Sequence, residues 1–317
     1  MSELEKKVQK SIERLKAFQP KNEPYHLAFS GGKDSVVCKA LLTGGGIPFE
    51  AVYRVTSVDP PELVRFIKNE HPDVKREVPR YPETYRNEKL AGKPITMWNL
   101  IPEKLMPPTR LARYCCDKLK ESSGDGRMTV TGVRWAESIN RAKNQGPITI
   151  ASKKAGKDLV ENQDFTLTRQ GGVVLVNDNE DTRRVVEQCY KRHKTVVNPI
   201  IEWTDQDVWE FIHAHGIHYC ELYDEGFHRL GCIGCPMARQ HGREKEFARW
   251  PKYKHHYLLA FDRMLKERER RGKLGSWRMG TTAKDVFNWW MEYDVLSGQY
   301  NIFEDYEEGE IDDLSTQ

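Results

Sequence analysis

A chain of 317 residues can bury a sizeable core, and with 38% hydrophobic and 31% charged residues and no run near the roughly 18 apolar residues of a membrane span, it reads as soluble. The formal net charge of +3 is too small to imply nucleic-acid binding by itself, so local patches must carry that question. Seven cysteines, an odd number with no export signal, argue against a disulfide framework and for reduced thiols or a metal centre.

The first segment, "MSELEKKVQKSIERLKAF", is charged and amphipathic, with Leu4, Val8, Ile12 and Leu15 on one face. It lacks the apolar region of a signal peptide, so a cytoplasmic protein with an N-terminal helix over 1–24 is expected. Next comes "HLAFSGGKDSVVCKALL". His26 to Phe29 suits a buried strand, and Val36, Val37, Ala40 and Leu41 repeat at helical intervals, which makes Ser30 to Ser35 a strand-to-helix turn. The first N–H groups of a helix lack internal partners and the helix dipole adds positive charge there, so such a turn binds anions readily. Gly31 and Gly32 let the backbone approach a phosphate, Lys33 adds a mobile cation, Asp34 is a candidate for orienting the loop or a Mg²⁺ water, and Ser30 and Ser35 add hydroxyls.

A Gly44-Gly45-Gly46 turn leads to a second strand in "FEAVYRVTS", and Pro60-Pro61 opens a helix through "ELVRFIKNE". Strand, turn, helix, strand and helix in that order indicate a parallel sheet with crossover helices, whose ligands bind at the carboxyl ends of the strands. Residues 79–108 read as a long excursion with one helix around Trp98 to Leu105. "TRLARYCCDKLKE" is helical in spacing. In "RMTVTGVRWAESINR", Met128 to Val133 look like a strand, and Arg134, Glu137 and Arg141 follow at the ligand edge as candidate clamps or as an ion-pair group. Residues 143–195 look like an insertion with basic runs at Lys153-Lys154, Arg183-Arg184 and Lys191 to Lys194. Thr204 caps a helix whose apolar face is Val208, Trp209, Phe211 and Ile212, with Asp205 and Asp207 in its first turn. Helix dominates beyond Pro236, and Glu304 to Asp313 form an acidic tail. The expected architecture is α/β, a doubly wound, mostly parallel sheet over 25–240 with a helical region over 241–317.

Cys232-Ile-Gly-Cys235 has the spacing that turns two thiolates toward one metal, compatible with zinc, iron–sulfur or a redox dithiol. The adjacent Cys115-Cys116 fits tetrahedral zinc poorly and a larger cluster better, while two buried helical cysteines without metal are the plain alternative.

The turn Ser30 to Ser35 departs from the Walker pattern. It resembles the PP-loop, Ser-Gly-Gly-x-Asp-Ser, of ATP pyrophosphatases. "RYCCDKLKE", "GVRWAESINR" and "WTDQDVW…LYDEGFHRLGCIGCP" resemble, in family order, segments of the phosphoadenosine-phosphosulfate reductase family of the adenine-nucleotide α-hydrolase fold. The resemblance implies nucleotide contacts from Ser30, Gly31, Gly32, Lys33, Asp34, Ser35, Gly132, Arg134 and Glu137, with Lys33, Asp34, Arg134 and Arg141 in catalytic roles. It also implies a [4Fe–4S] centre on Cys115, Cys116, Cys232 and Cys235. The chain has no cysteine after Cys235, where reductases of this kind carry their nucleophile, and its phosphate loop is the intact pyrophosphatase form. The expectation is therefore an ATP- and Mg²⁺-using enzyme that adenylates an acceptor for sulfur transfer, similar to DNA phosphorothioation or tRNA thiolation enzymes. A nucleic-acid acceptor and a cysteine desulfurase or other sulfur donor are the implied partners. The alternatives are a sulfonucleotide reductase using an external thiol, or Cys220, and a non-catalytic nucleotide- or cluster-sensing regulator.

Overall fold

The computed structural model describes residues 1–121, 123–124, 126–151, 165–168, 172–175, 186, 194–238 and 240–296. They gather into two compact units, one of Met1–Thr96 and Cys116–Cys232, the other of Met97–Cys115 and the residues from Ile233 onward. Its strands are β1 (Tyr25–Ala28), β2 (Phe49–Arg54), β3 (Lys75–Glu77), β4 (Met128–Val130), β5 (Ile148–Ala151), β6 (Phe165–Leu167), β7 (Val173–Leu175) and β8 (Lys194–Val197). Its longer helices are α1 (Glu3–Ala17), α2 (Lys33–Gly44), α3 (Pro61–Glu70), α4 (Met97–Lys104), α5 (Ile139–Asn144), α6 (Asp205–Ala214), α7 (Gln240–Arg249), α8 (Pro251–Arg270) and α9 (Ala283–Leu296).

The strands form one sheet in the order β3-β2-β1-β4-β8-β5-β7-β6. From β3 to β8 all neighbours are parallel. The mostly parallel α/β sheet expected from the alternation of strands and helices is what the chain adopts. Tyr25, Leu27, Met128, Val130 and Val197 are buried on the sheet, and Val36, Val37, Leu41 and Leu42 of α2 are buried with them. Removing this apolar surface from water is the main favourable term in holding the layers together.

The described part of the 143–195 segment widens the sheet. β5 pairs antiparallel with β8, and β7 and β6 follow antiparallel in turn. The basic runs Lys153-Lys154 and Arg183-Arg184, Lys191 to His193, Cys189 and the acidic tail lie outside the described residues. Lys194 opens β8 and donates to the carbonyls of Glu121 and Ser123.

Helix α1 begins with a reciprocal capping box between Ser2 and Glu5. Its buried Arg14 and Ser11 both donate to the Pro199 carbonyl, each at 2.9 Å. The Tyr25 hydroxyl donates to the Leu15 carbonyl at 2.9 Å, which fixes α1 to the start of β1.

The second unit is helical. Trp98 of α4 packs edge-on against Tyr257 of α8, with ring centroids 5.2 Å apart. Buried Arg243 donates to the carbonyls of Trp290 and Met291 at 2.9 and 2.8 Å, and the Trp290 indole donates to the Pro108 carbonyl at 2.7 Å. Among the described residues no helix is long and apolar enough to cross a membrane.

Candidate nucleotide site

The chain winds outward from β1 to β2 to β3 on one side and resumes at β4 on the other, so the sheet's switch point lies between β1 and β4. Crevices at such points hold the ligands of open α/β sheets. Ser30 to Ser35 leaves β1 there, and 131–134 leaves β4 there.

Two glycines make this junction tight. Gly31 has φ +76°, and a Cβ on it would lie 2.7 Å from Ile67 Cγ1 and 2.9 Å from Leu63 Cδ1 of α3. A Cβ on Gly132 would lie 2.8 Å from the carbonyl carbon and Cβ of Asp34. The β4 exit therefore presses directly on the first turn of α2. Within the loop, the Ser35 hydroxyl donates to the Gly32 carbonyl at 2.8 Å, the Ser30 hydroxyl lies 3.2 Å from Ser35 Oγ, and the Gly32 N–H donates to Ser30 Oγ at 3.3 Å.

Lys33 is buried and points across the first unit to residues roughly two hundred positions away. Its ammonium pairs with Asp205 Oδ1 at 3.0 Å and donates to the His228 carbonyl at 3.2 Å. It lies 5.6 Å from the ring centroid of Tyr223 and 5.9 Å from that of Trp209, within cation–π range. Its backbone N–H donates to the Tyr223 hydroxyl at 2.9 Å.

Arg134 is 4% exposed and uses its guanidinium within the protein: Nε donates to Asp34 Oδ1 at 2.7 Å, Nη2 to Asp205 Oδ1 at 3.0 Å and Nη1 to the Trp203 carbonyl at 3.4 Å. Burial opposes its charge, but Asp34, Glu137 and Asp205 outweigh that and raise its pKa. Burial likewise opposes ionisation of Asp205, yet Lys33 and Arg134 hold its carboxyl below the usual range. Glu137 Oε1 accepts from the Arg134 backbone N–H at 3.1 Å and from Arg141 Nη1 at 2.6 Å. Burial, with the nearby positive charge of Arg229, lowers the pKa of Arg141. Arg141 and Arg229 thus bring two cations to one edge of the site.

The structure brings Ser30, Gly31, Gly32, Lys33, Asp34, Ser35, Gly132, Arg134, Glu137 and Arg141 to this one junction. Asp205, Tyr223, Trp209, His228 and Arg229 join them and were not singled out as site residues by sequence. The helix-start pattern at Thr204 marked Asp205 only as a first-turn acid, and Trp209, assigned there to the apolar face, is half-buried and faces Lys33.

The cysteines divide between the units, Cys116 and Cys232 in the first, Cys115 and Cys235 in the second. Cys232 Sγ lies 3.6 Å from Thr56 Oγ1 and 3.8 Å from Asp59 Oδ1, and Asp59 is buried while accepting from the Tyr53 hydroxyl. Gly234, at φ +71°, makes the turn before Cys235. Four thiols are chemically apt for an iron–sulfur cluster. Among the described residues no group of three or more His, Cys, Asp or Glu side chains is gathered so as to hold a metal.

The chain is 38% identical over 195 residues to an adenosine 5′-phosphosulfate reductase of Oceanobacillus iheyensis, covering 60% of each protein. It is 26% identical over 246 residues to an uncharacterized protein of Methanocaldococcus jannaschii, covering 74% of this chain and 48% of that protein. With a second uncharacterized protein of that organism at 46%, the chain spans about half the length of these curated relatives. Among solved structures, it resembles a phosphoadenylyl-sulfate reductase from Candida auris in phosphate complex at 12% identity and TM-score 0.39, covering 74% of this chain and 97% of that one. It also resembles the U34-tRNA thiolase NcsA from Methanococcus maripaludis at 14% identity and TM-score 0.38, covering 86% and 82%. Residues 24–238, more than half of the chain, match the phosphoadenosine phosphosulfate reductase domain, and the protein belongs to that domain family.

Proposed function

We propose that this chain is an ATP-using member of its family that adenylates an oxygen of an acceptor and releases pyrophosphate. The observation that carries this reading is the complete Ser30-Gly31-Gly32-Lys33-Asp34-Ser35 turn, set at the switch point with the Lys33 ammonium buried beside it. In the proposed reaction an acceptor oxygen attacks the α-phosphorus of ATP. The bond from that phosphorus to the bridging oxygen breaks, and pyrophosphate departs with the electron pair. Charge on the leaving phosphates is met by the N–H groups at the start of α2 and by Lys33, so catalysis is positioning and charge stabilisation with no protein nucleophile. Arg141 and Arg229 are candidate cations for the substrate, and Arg134 positions the loop through Asp34. Mg²⁺ supplied with ATP would share the phosphate charge.

Adenylation prepares an oxygen for displacement by sulfur, which makes sulfur transfer the candidate outcome and Cys115, Cys116, Cys232 and Cys235 its candidate thiols. Nucleic acid is the candidate acceptor, supported by the basic runs of the 143–195 segment. The relatives named as adenosine 5′-phosphosulfate reductases favour a second reading, sulfonucleotide reduction with an external thiol.

Anaerobic calorimetry separates the two. ATP–Mg²⁺ is compared with adenylyl sulfate and its 3′-phosphorylated form, on the full chain and on Lys33→Ala. Tight ATP binding that is lost in the variant supports adenylation. Binding of a sulfonucleotide alone overturns it in favour of the reductase.

A further inference from the structure

Two groups that the adenylating reading assigns to phosphate oxygens are already satisfied by the protein's own side chains. The backbone N–H of Lys33 donates to the Tyr223 hydroxyl at 2.9 Å, and the Lys33 ammonium pairs with Asp205 at 3.0 Å. Tyr223 reaches the loop from a short helical turn, Glu221–Tyr223, and its ring is edge-on to Trp209 with centroids 5.1 Å apart. An oxygen that accepts from the first N–H groups of a helix does what a bound phosphate oxygen does there: it satisfies a donor that has no partner within the helix. Burial pushes the Tyr223 phenol up, so it sits on the loop as a neutral acceptor. An anionic phosphate oxygen makes a stronger bond to the same donor and gains from the helix dipole as well.

There is room for the exchange. A cavity of about 270 Å³ lies against the ring, lined by Trp209, His213, Tyr219 and Phe227 among others and reaching Asp205 and His228, the two groups that hold the Lys33 ammonium.

We infer that Tyr223 is an internal stand-in for a phosphate oxygen, and that nucleotide phosphates bind by displacing its hydroxyl from the Lys33 N–H toward this cavity. The inference rests on the adenylating reading. Tyr223 is then a positioning residue that sets the phosphate affinity of the loop and keeps the loop formed when no nucleotide is present.

The consequence runs opposite to that of an ordinary ligand-binding hydroxyl. Tyr223→Phe removes the occupant and leaves the N–H without its side-chain acceptor in the free protein, while the bound state loses nothing. The free protein therefore melts at a lower temperature, and Mg²⁺–pyrophosphate and ATP–Mg²⁺ bind about threefold to tenfold more tightly, the size of one net hydrogen bond. The experiment is calorimetry of both ligands on the full chain, wild type and Tyr223→Phe, with thermal unfolding in parallel. Lower melting with unchanged affinity means a merely structural tyrosine and overturns the inference. Weaker binding overturns it too, because the hydroxyl would then be a ligand donor. If neither protein binds either ligand, the adenylating reading falls and the inference with it; if the wild type binds and the variant gains nothing, the inference falls alone. Tryptophan emission of the wild type supplies a check independent of the variant's folding. Pyrophosphate is expected to change it, and Trp209→Phe to remove most of that change; a pyrophosphate response that survives Trp209→Phe intact counts against displacement of Tyr223.

Discussion

Arg134 donates from Nε to Asp34 Oδ1 at 2.7 Å, which ties the residue just after the β4 exit to the first turn of α2, while its Nη2 holds Asp205 at the start of α6. One buried guanidinium thus fixes the starts of two helices, and both carboxylates lie where a helix dipole favours negative charge. Removing one member of a buried ion pair leaves the other charge uncompensated. Arg134→Met is expected to destabilise the protein by roughly 3 kcal/mol, the low end of the range for buried pairs, because the Asp205 side chain is 61% exposed. Arg134→Lys restores part of the loss, since an ammonium cannot span both carboxylates. Urea denaturation measures both, and wild-type stability in Arg134→Met would refute the structural role.

Asp205 is shared by two cations through one oxygen, Oδ1, at 3.0 Å from each. Stability and anion affinity are therefore expected to move in opposite directions in Asp205→Asn. Loss of the carboxylate weakens the hold on Arg134, which lowers the urea midpoint. It also leaves the Lys33 charge uncompensated, which tightens Mg²⁺–pyrophosphate binding several-fold at low salt, with the gain shrinking as salt screens it. A variant that loses affinity would mean that Asp205 serves the ligand directly.

Gly132 has no room for a side chain, because the atoms in the way are Asp34's carbonyl carbon and Cβ at 2.8 Å, which cannot swing aside. Gly132→Ala must push the first turn of α2 away from β4. Overpacking of this kind costs about 1–3 kcal/mol. On the adenylating reading, displacing the Ser30 to Ser35 turn is expected to weaken ATP–Mg²⁺ by about tenfold or more, equivalent to ~1.4 kcal/mol. Gly44→Ala, where a Cβ meets nothing within 4 Å, is the matched control and should leave both quantities near wild type.

Much of this junction was legible in the sequence because it is local. A strand running into Ser-Gly-Gly-Lys-Asp-Ser and then into helical periodicity places a tight strand-to-helix turn without any knowledge of the rest of the chain. Thr204 followed by Asp207 likewise marks the start of α6, where the reciprocal capping box forms. What was hidden lies in pairs separated by most of the chain. Lys33 meets Tyr223 and His228 across roughly 190 positions, and no local pattern marks a tyrosine that will cap a distant loop. Nor did any local pattern mark 97–115 as a partner of the helices after Ile233, although Arg268 donates to the Leu105 carbonyl at 2.6 Å. The mostly parallel character of the sheet follows from alternating strands and helices; the antiparallel continuation through β5, β7 and β6 depends on pairings that short strands do not specify by composition.

His26 gives the first unit a definite acid response. It is 3% exposed in β1, with the Ser123 hydroxyl 3.0 Å from Nε2 and Gly124, at φ +73°, packed closely on its ring. Burial, assisted by the Arg127 charge, pushes its pKa down to about 4. In the unfolded chain the same imidazole titrates near ~6.5. Between these values the unfolded state holds a proton that the folded state refuses, so stability falls as pH drops from about 6.5 to about 4 and is flat in this group below that. The loss at pH 4 amounts to about 3 kcal/mol. His71, which burial and Lys39 also push down to about 4, adds to the same slope. Urea denaturation at stepped pH across this interval should show a shallower decline for His26→Gln than for the wild type, with the residual slope left by His71. A decline of unchanged steepness would mean that His26 is not held neutral in the fold.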